Sequence, residues 1–292
     1  GPSLSSPRPT AGDESPRHYR CPRPGDDSNT VDEGQEQLLL DPNALAGGGF
    51  LSLGAFNVSP DHRLLAYSLD TSGDEIYTLY VKDLATGDVT TLPFDGCDGS
   101  LTWANDSRTL FFTELDDTHR PWRLYRHTLG QDGAQRVFEE PDGRFFLHCY
   151  RTSSERQLVL LLNSKTTSEA WVLDAATPQA PFTCLAPRVE SHEYFPDHGL
   201  LDGQWRWFIR TNQDGINFAL YHAPVDPVPS RAQWQLLVGH RDDIMLEGLS
   251  LNASALTLSL RDGGLPIIEV RPQGLAPYRV ALPDAAYSLY VQ

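Results

Sequence analysis

The sequence lacks the long apolar runs of a membrane protein and the surplus of basic residues typical of a nucleic-acid-binding protein. Its longest aliphatic run is Leu158–Leu162, whereas a membrane-spanning helix needs about 20 apolar residues. Lys and Arg number 23 against 39 Asp and Glu, which gives a formal net charge of -16. A field of that sign repels phosphate backbones. We therefore expect neither a membrane nor a nucleic acid as a partner.

Cysteine is sparse and widely spaced. The four cysteines are Cys21, Cys97, Cys149 and Cys184. None of them forms the C-x-x-C spacing that places two thiolates on one zinc ion or forms a redox pair. The first residues show no basic segment leading into an apolar one, so no signal peptide is expected. The sequence thus predicts reduced thiols, no metal or other cofactor, and a cytoplasmic location.

Common catalytic motifs are missing as well. The sequence contains no Gly-x-Ser-x-Gly, no H-E-x-x-H and no Walker motif. The nearest approach to a serine nucleophile elbow is Gly248–Asn252, which centres on Ser250 and falls inside a predicted strand. We therefore predict that no residue of this chain is catalytic.

Four groups of polar residues raise the alternative that the chain contains a metal site or an acid–base site. His192, Glu193 and His198 are close enough in sequence to suggest a metal cluster, although such residues beside Tyr194 at a strand start are typical of structural positions. Paired carboxylates could serve acid–base chemistry; they occur at Asp116-Asp117, Glu139-Glu140 and Asp242-Asp243. In a strand such neighbours point to opposite faces, and in loops they are usually solvated. Local ion pairs are expected at Arg241-Asp242-Asp243 and at His119-Arg120.

The first 49 residues differ in composition from the rest. Pro, Gly, Asp and Ser dominate them, and Leu38-Leu39-Leu40 is their one strong apolar cluster, which predicts a tail or tether. Asp41–Ala46 is expected to form a short helical turn with Asp41 as N-cap. The run Gly47–Gly49 should end that turn.

From Phe50 onward, short apolar runs alternate with turn residues every 8 to 12 positions, which predicts β-strands. The pattern also repeats. One apolar position in the third run of each repeat can be aligned at Leu79, Leu124, Ala170, Leu220 and Ile268, with steps of 45, 46, 50 and 48 residues. This period matches a propeller blade of four antiparallel strands. We predict an all-β propeller domain over 50–292 with about five and a fraction blades, the last opening at Ala285–Val291.

Several short strings resemble the N-terminal propeller of oligopeptidase B, in the prolyl oligopeptidase family of serine peptidases. They occur in family order and near family spacing: Leu53–Phe56 followed by Ser59–Asp61, Trp103–Ser107, Tyr125–His127, Glu139–Asp142, Ser164–Glu169, Leu173–Ala175, His192–Tyr194, Asn217–Phe218, Ile244–Gly248 and Pro283–Tyr287.

The resemblance implies a seven-bladed propeller that caps an α/β-hydrolase domain bearing the catalytic triad, with residues 1–49 packed on that domain. It also implies cleavage of short peptides after Lys or Arg, with the propeller restricting entry to oligopeptides. The last blades and the hydrolase domain are absent from this sequence, so no catalytic residue carries over and the chain is expected to be a fragment.

Two interpretations follow. The first is a substrate-gating domain whose partners are the hydrolase domain and basic oligopeptides. The second is a propeller that acts alone as a protein-interaction scaffold through its loops. A propeller glycosidase is a third possibility, which would need convergent carboxylates. A Gly-x-Ser-x-Gly motif downstream in the gene would favour the first interpretation over the second.

Overall fold

The computed structural model describes residues 3–22, 36–226, 228–252 and 254–281. It consists of one three-stranded antiparallel sheet followed by five four-stranded antiparallel sheets, and in each of these sheets the strand order follows the sequence. Among the described residues, no helix has the length and apolar character that a bilayer crossing requires. The prediction of an all-β fold built from repeated four-stranded sheets is confirmed.

The N-terminal sheet contains β1 (Ser3–Arg8), β2 (Arg17–Pro22) and β3 (Gln37–Leu40), followed by helix α1 (Pro42–Ala46). The first sheet of the repeat contains β4 (Ser52–Val58), β5 (Leu64–Asp70), β6 (Thr78–Asp83) and β7 (Val89–Thr91). The second contains β8 (Thr102–Trp103), β9 (Thr109–Leu115), β10 (Pro121–Thr128) and β11 (Gln135–Glu139). The third contains β12 (Phe146–Arg151), β13 (Gln157–Asn163), β14 (Ser168–Asp174) and β15 (Thr183–Ala186). The fourth contains β16 (Tyr194–Leu201), β17 (Gln204–Thr211), β18 (Ala219–Pro224) and β19 (Gln235–Val238), with a single 3₁₀ turn at Arg231–Gln233. The fifth contains β20 (Ile244–Leu251), β21 (Ala255–Asp262), β22 (Leu265–Pro272) and β23 (Tyr278–Arg279).

The five positions that define the sequence period all lie in the third strand of their sheets. Every one of them is buried: Leu79, Leu124, Ala170, Leu220 and Ile268. In three of the sheets the pairing of the third and fourth strands shifts register directly after this position. The period of the sequence therefore corresponds to one sheet, as predicted.

Strand β13 shows why the sheets stack. Successive side chains of a strand point to opposite faces, and here both faces are apolar. Leu158, Leu160 and Leu162 pack in a cluster with the second sheet, whereas Val159 and Leu161 pack in a cluster with the fourth. The aliphatic run that was too short to span a membrane is a strand buried between two neighbouring sheets.

The same neighbour-to-neighbour packing continues along the chain. Buried apolar clusters join the first sheet to the second and the fourth to the fifth. One four-stranded sheet cannot bury both of its faces alone, so each repeat depends on the repeats beside it.

The described part of the first 49 residues, 3–22 and 36–49, contains three strands and one short helix. Leu39 and Leu40 are buried against the first sheet, on the face opposite the second sheet. Gln37 donates to the Leu84 carbonyl, and Lys82 Nζ donates to the Leu39 carbonyl at 2.9 Å. The apolar triplet supplies enough buried surface to order the strand that carries it, and β2 pairs with that strand. The overall composition of residues 1–49 does not reflect this short apolar cluster and therefore did not predict the strand.

The predicted helical turn is confirmed. The Asp41 side chain accepts hydrogen bonds from the backbone of Asn43 and Ala44, and Pro42 occupies the first turn. Gly47 ends the helix in the left-handed region at φ 56°. The strand predicted at Ala285–Val291 lies outside the described residues.

Candidate functional site

The first strands of neighbouring sheets lie side by side and border an open cavity. Thr102 Oγ1 donates to the Cys149 carbonyl at 2.9 Å, which joins β8 to β12. Trp103 Nε1 donates to the Asn57 carbonyl at 2.9 Å, which joins β8 to β4. The space they border, called the inner cavity below, has a volume of about 700 Å³ and is lined by Gly54, Ala55, Asn57, Val58, Tyr77, 98–103, 148–153 and Glu155.

Asp98 gives one end of the inner cavity a negative charge. Its Oδ1 accepts hydrogen bonds from the backbone and the hydroxyl of Ser100, at 2.9 and 2.7 Å. Within the described ranges, no Lys, Arg or His is in ion-pair contact with Asp98. Beyond it lies a second cavity of about 220 Å³, which Asp98 shares with Tyr77, Glu75 and His119 among others. This end of the site therefore favours a cationic ligand.

Tyr77 lines both cavities and packs closely against two glycines. A Cβ atom on Gly54 would lie 2.9 Å from Tyr77 Cε1, and one on Gly99 would lie 2.8 Å from Tyr77 Cγ. Gly99 also has a φ of 88°, in the region that favours glycine. The tyrosine ring can occupy this place only because both positions lack a side chain.

Arg151 gives the other end of the cavity a positive charge. It is the last residue of β12, and its side chain is 20% exposed. Arg151 Nη2 donates to Asn105 Oδ1 at 2.7 Å and to the Glu155 carbonyl at 3.2 Å. The inner cavity is thus electrically polar along its length, with a carboxylate at one end and a guanidinium toward the other.

The three pairs of adjacent carboxylates do not form acid–base sites. The local ion pair expected at His119-Arg120 is instead formed by Arg120 with Asp116 at 2.8 Å, and Arg120 also donates to the Phe145 carbonyl. Burial opposes ionisation of Asp116, but hydrogen bonds from Thr118 and Arg120 outweigh it and lower its pKa to about 2. A carboxyl group with so low a pKa is a poor general acid near neutral pH.

The other two pairs are divided between different partners. Glu139 is paired with Arg123 and Arg136 at the surface, whereas Glu140 is buried against Arg188. In the third pair, the exposed Asp243 is bound by Arg241 at 2.8 Å, which is the second expected ion pair.

The residues of the suggested metal cluster are also separated. His192 lies two residues before β16 and His198 lies within it, and six steps of extended chain span about 20 Å at the usual rise. His192 Nε2 lies 2.7 Å from Thr211 Oγ1, and His198 Nδ1 lies 2.6 Å from Ser154 Oγ. The buried Tyr194 donates its hydroxyl to the Ala186 carbonyl. In the described ranges, no group of three or more His, Cys, Asp and Glu side chains has the geometry to hold a metal ion.

We expect acidification to destabilise the fold through His192 and His198. Burial lowers the pKa of each to about 4, from an ordinary value of about 6.5. Between these values the unfolded chain binds more protons than the folded one, so stability falls as pH falls from about 6.5 to about 4. Urea unfolding of His198→Gln should show a dependence on pH that is weaker by up to about 1.4 kcal/mol per pH unit.

The matched control for this prediction is His148→Gln. His148 is exposed on β12, so its replacement removes a histidine without disturbing buried packing. Equal slopes for the original chain and His198→Gln between pH 6.5 and pH 4.5 would contradict the assignment.

Ser250 is not placed as a nucleophile. It is the last residue but one of β20 and pairs with Thr257 of β21. A nucleophile elbow needs a sharp turn between a strand and a helix, and this backbone is a regular strand. Ser250 therefore lies in a strand, as its sequence context predicts.

Sequence reasoning did not single out the residues that border the inner cavity. Asn57, Asp98 and Arg151 lie on or beside the first strand of a repeat. The position of a residue within its repeat could have identified it, because each of these repeats contributes its first strand to the cavity. Without the order of strands across each sheet, the sequence gives no reason to prefer the first run over the third.

Comparisons with known proteins agree on one family. The sequence profile described as "Prolyl oligopeptidase, N-terminal beta-propeller domain" matches residues 8–290. The chain is 38% identical over 260 residues to dipeptidyl aminopeptidase BI of Pseudoxanthomonas mexicana, covering 87% of this chain and 35% of that protein. It is 30% identical over 249 residues to Protease 2 of Moraxella lacunata, covering 84% and 35%. The chain thus spans about a third of the length of these relatives.

Solved structures show the same fold. Oligopeptidase B from Leishmania major superposes with a TM-score of 0.84 at 24% sequence identity, over 98% of this chain and 41% of that one. Oligopeptidase B from Trypanosoma brucei gives a TM-score of 0.82 at 22% identity, over 97% and 40%. The resemblance drawn from the short sequence strings is confirmed at the level of family and fold.

Proposed function

This chain belongs to the prolyl oligopeptidase family, as its N-terminal β-propeller domain, and from that premise we propose that it gates substrate entry to a serine oligopeptidase that cleaves short peptides after Lys or Arg. The catalytic partner would be an α/β-hydrolase domain. The observation that carries the proposal is the profile match over residues 8–290 in a chain that spans 35% of its peptidase relatives.

The size of the inner cavity supports the gating role. A folded domain of about 100 residues has a radius of gyration near 13 Å, which is too large for a space of about 700 Å³. An extended peptide is only one chain thick. The cavity would therefore discriminate by steric exclusion.

The charge distribution supports the preference for basic peptides. The formal net charge of -16 attracts cations over a distance that falls with added salt. Asp98 then offers a carboxylate with no ion-pair partner among the described residues, in a partly enclosed setting. A lysine or arginine side chain would be attracted first by the overall field and then by this group.

A cytoplasmic location is part of the proposal. All four cysteines are free, and three of them are buried. Burial raises the pKa of Cys149 to about 12 and that of Cys184 to about 11, so both remain thiols at neutral pH. Unpaired thiols are usual in reducing compartments.

The proposal can be tested in a chimera. This chain would replace the matching segment of dipeptidyl aminopeptidase BI, and cleavage would be measured by mass spectrometry on a short arginine peptide, its citrulline counterpart and a folded protein with surface arginines. We expect rapid cleavage of the short peptide after arginine and at least tenfold slower cleavage of the folded protein. The preference for arginine over citrulline should shrink as salt is added, because screening weakens the attraction.

A second chimera with Asp98→Asn provides the control for charge. It keeps the shape of the cavity and should lose part of the preference for arginine without cleaving the folded protein any faster. Equal cleavage of the folded protein and the short peptide by the first chimera would overturn the gate. Equal cleavage after arginine and citrulline would overturn the preference for basic peptides.

A further inference from the structure

Arg151 is fixed in place while part of its guanidinium is left without a partner. Asn105 and the Glu155 carbonyl both bind Nη2, so one nitrogen takes up both of these contacts. Arg151 Nε is buried and has no hydrogen-bond partner in the part of the chain that the structure describes. A buried donor without a partner is costly, while the side chain as a whole keeps 20% of its surface exposed and borders the inner cavity.

The charge of Arg151 is also incompletely matched. The nearest carboxylate is that of Glu155, with Oε2 at 3.6 Å from Arg151 Nη2, which is beyond hydrogen-bond distance. The Glu155 side chain is 77% exposed, so water screens the attraction. Burial lowers the pKa of Arg151, as expected for a cation whose desolvation is not offset by a close partner. A ligand carboxylate would satisfy the guanidinium better than Glu155 does.

The placement of Asp98 gives a ligand a direction. Thr102 bonds Cys149, and Asn105, three residues further along, bonds Arg151, two residues further along, so β8 and β12 run the same way. Asp98 precedes Thr102 in the chain, and Arg151 follows Cys149, the residue to which Thr102 is bonded. The two charges therefore lie on opposite sides of that bond, and a carboxylate is repelled at one end of the cavity and attracted at the other.

We propose that Arg151 binds the terminal α-carboxylate of an oligopeptide that occupies the inner cavity. The inference rests on the proposed function in taking a peptide as the ligand, but it does not depend on hydrolysis. Arginine presents a planar fork of donors that matches a carboxylate, and such charge-assisted pairs are stronger than neutral hydrogen bonds. The site would thus recognise the end of a peptide and orient the chain within the cavity.

The test is a binding measurement on this chain alone. The probe is a hexapeptide of five alanines and one central arginine, labelled with fluorescein at its N-terminus and prepared as the free acid and as the C-terminal amide. Fluorescence anisotropy should show that the free acid binds about tenfold more tightly than the amide, which corresponds to one charge-assisted hydrogen-bonded pair. A third peptide, amidated but with aspartate at its last position, separates a terminal carboxylate from a side-chain carboxylate.

Two variants should act in opposite directions. Arg151→Gln should bind the free acid and the amide equally. Glu155→Gln removes the competing carboxylate and should bind the free acid more tightly than the original chain does, with little change for the amide. A purely structural role for Arg151 would move both peptides together. Arg136→Gln, an exposed arginine on β11, is the control and should change neither affinity.

The outcomes separate this inference from the proposed function. Equal binding of acid and amide by the original chain would overturn the role of Arg151 and leave peptide entry intact. Full recovery of binding by the aspartate-bearing amide would overturn the assignment to the terminal carboxylate. If neither peptide binds, the inference fails, and the chimera described above decides the gating role independently. If Arg151→Gln does not fold, the acid-to-amide ratio and the response of Glu155→Gln still decide the question.

Discussion

Replacing Arg188 with glutamine should lower the free energy of unfolding by about 3 kcal/mol, since it leaves two buried carboxylates without their cation. Arg188 lies in the chain segment that connects the third sheet to the fourth. Its side chain donates hydrogen bonds to Glu140 and Glu169. The side chains of these two acids are only 5% and 11% exposed. Burial opposes ionisation of Glu169, yet hydrogen bonds from Arg188 and Trp171 outweigh it and lower its pKa. Urea unfolding at pH 7 measures the effect.

Two comparisons make the prediction specific. Arg136→Gln breaks an ion pair whose side chains are 51% and 36% exposed, and such surface pairs contribute only about 0 to 1 kcal/mol. Adding Glu140→Gln and Glu169→Gln to Arg188→Gln removes the buried charges and should restore at least half of the lost stability. A loss no larger than that of Arg136→Gln would mean that the acids find other partners or water.

Replacing Gly99 with alanine should also destabilise the fold strongly, by about 3 kcal/mol in total. Part of the effect is the positive φ of 88°, which costs an L-residue with a side chain roughly 1–2 kcal/mol. The rest is overpacking, since the new Cβ would lie 2.8 Å from Tyr77 Cγ, and inserted methyl groups in packed sites cost about 1–3 kcal/mol. The Gly99 carbonyl also accepts from Ser68 Oγ at 2.6 Å, so the backbone is not free to move away.

Gly87→Ala is the matched control for this substitution. Gly87 has nearly the same φ, 84°, but nothing lies within 4 Å of its would-be Cβ. The difference between the two variants in urea unfolding isolates the contact with Tyr77. In a Tyr77→Ala background, Gly99→Ala should cost less than it does alone. Equal losses for Gly87→Ala and Gly99→Ala would refute the steric argument.

The fold was predictable because buried apolar residues recur in the sequence with the period of one sheet. The aligned residues Leu79, Leu124, Ala170, Leu220 and Ile268 recur at nearly constant spacing because each occupies the same place in the third strand. The helical turn at Asp41 was predictable because capping depends on a few adjacent residues. The family followed from short strings at family spacing, which the profile match over residues 8–290 confirms.

The candidate site was less predictable because it depends on contacts between repeats. Asp98 and Arg151 are more than fifty residues apart and belong to different sheets, and only the packing of sheets places them on one cavity. The strands β2 and β3 depend on the same kind of contact, since Leu39 and Leu40 of β3 pack on the first sheet and β2 pairs with β3. The composition of a segment does not show which other segments it packs against.

Strand β13 contributes to two hydrophobic clusters at once, and this has a consequence for how damage spreads through the molecule. A change in one repeat affects other repeats only through the neighbouring sheets that it contacts. The third sheet packs on two neighbours, so a destabilising substitution in β13 weakens two contacts at the same time. Substitutions in β13 should accordingly be tolerated less well than substitutions in a strand that contributes to one cluster.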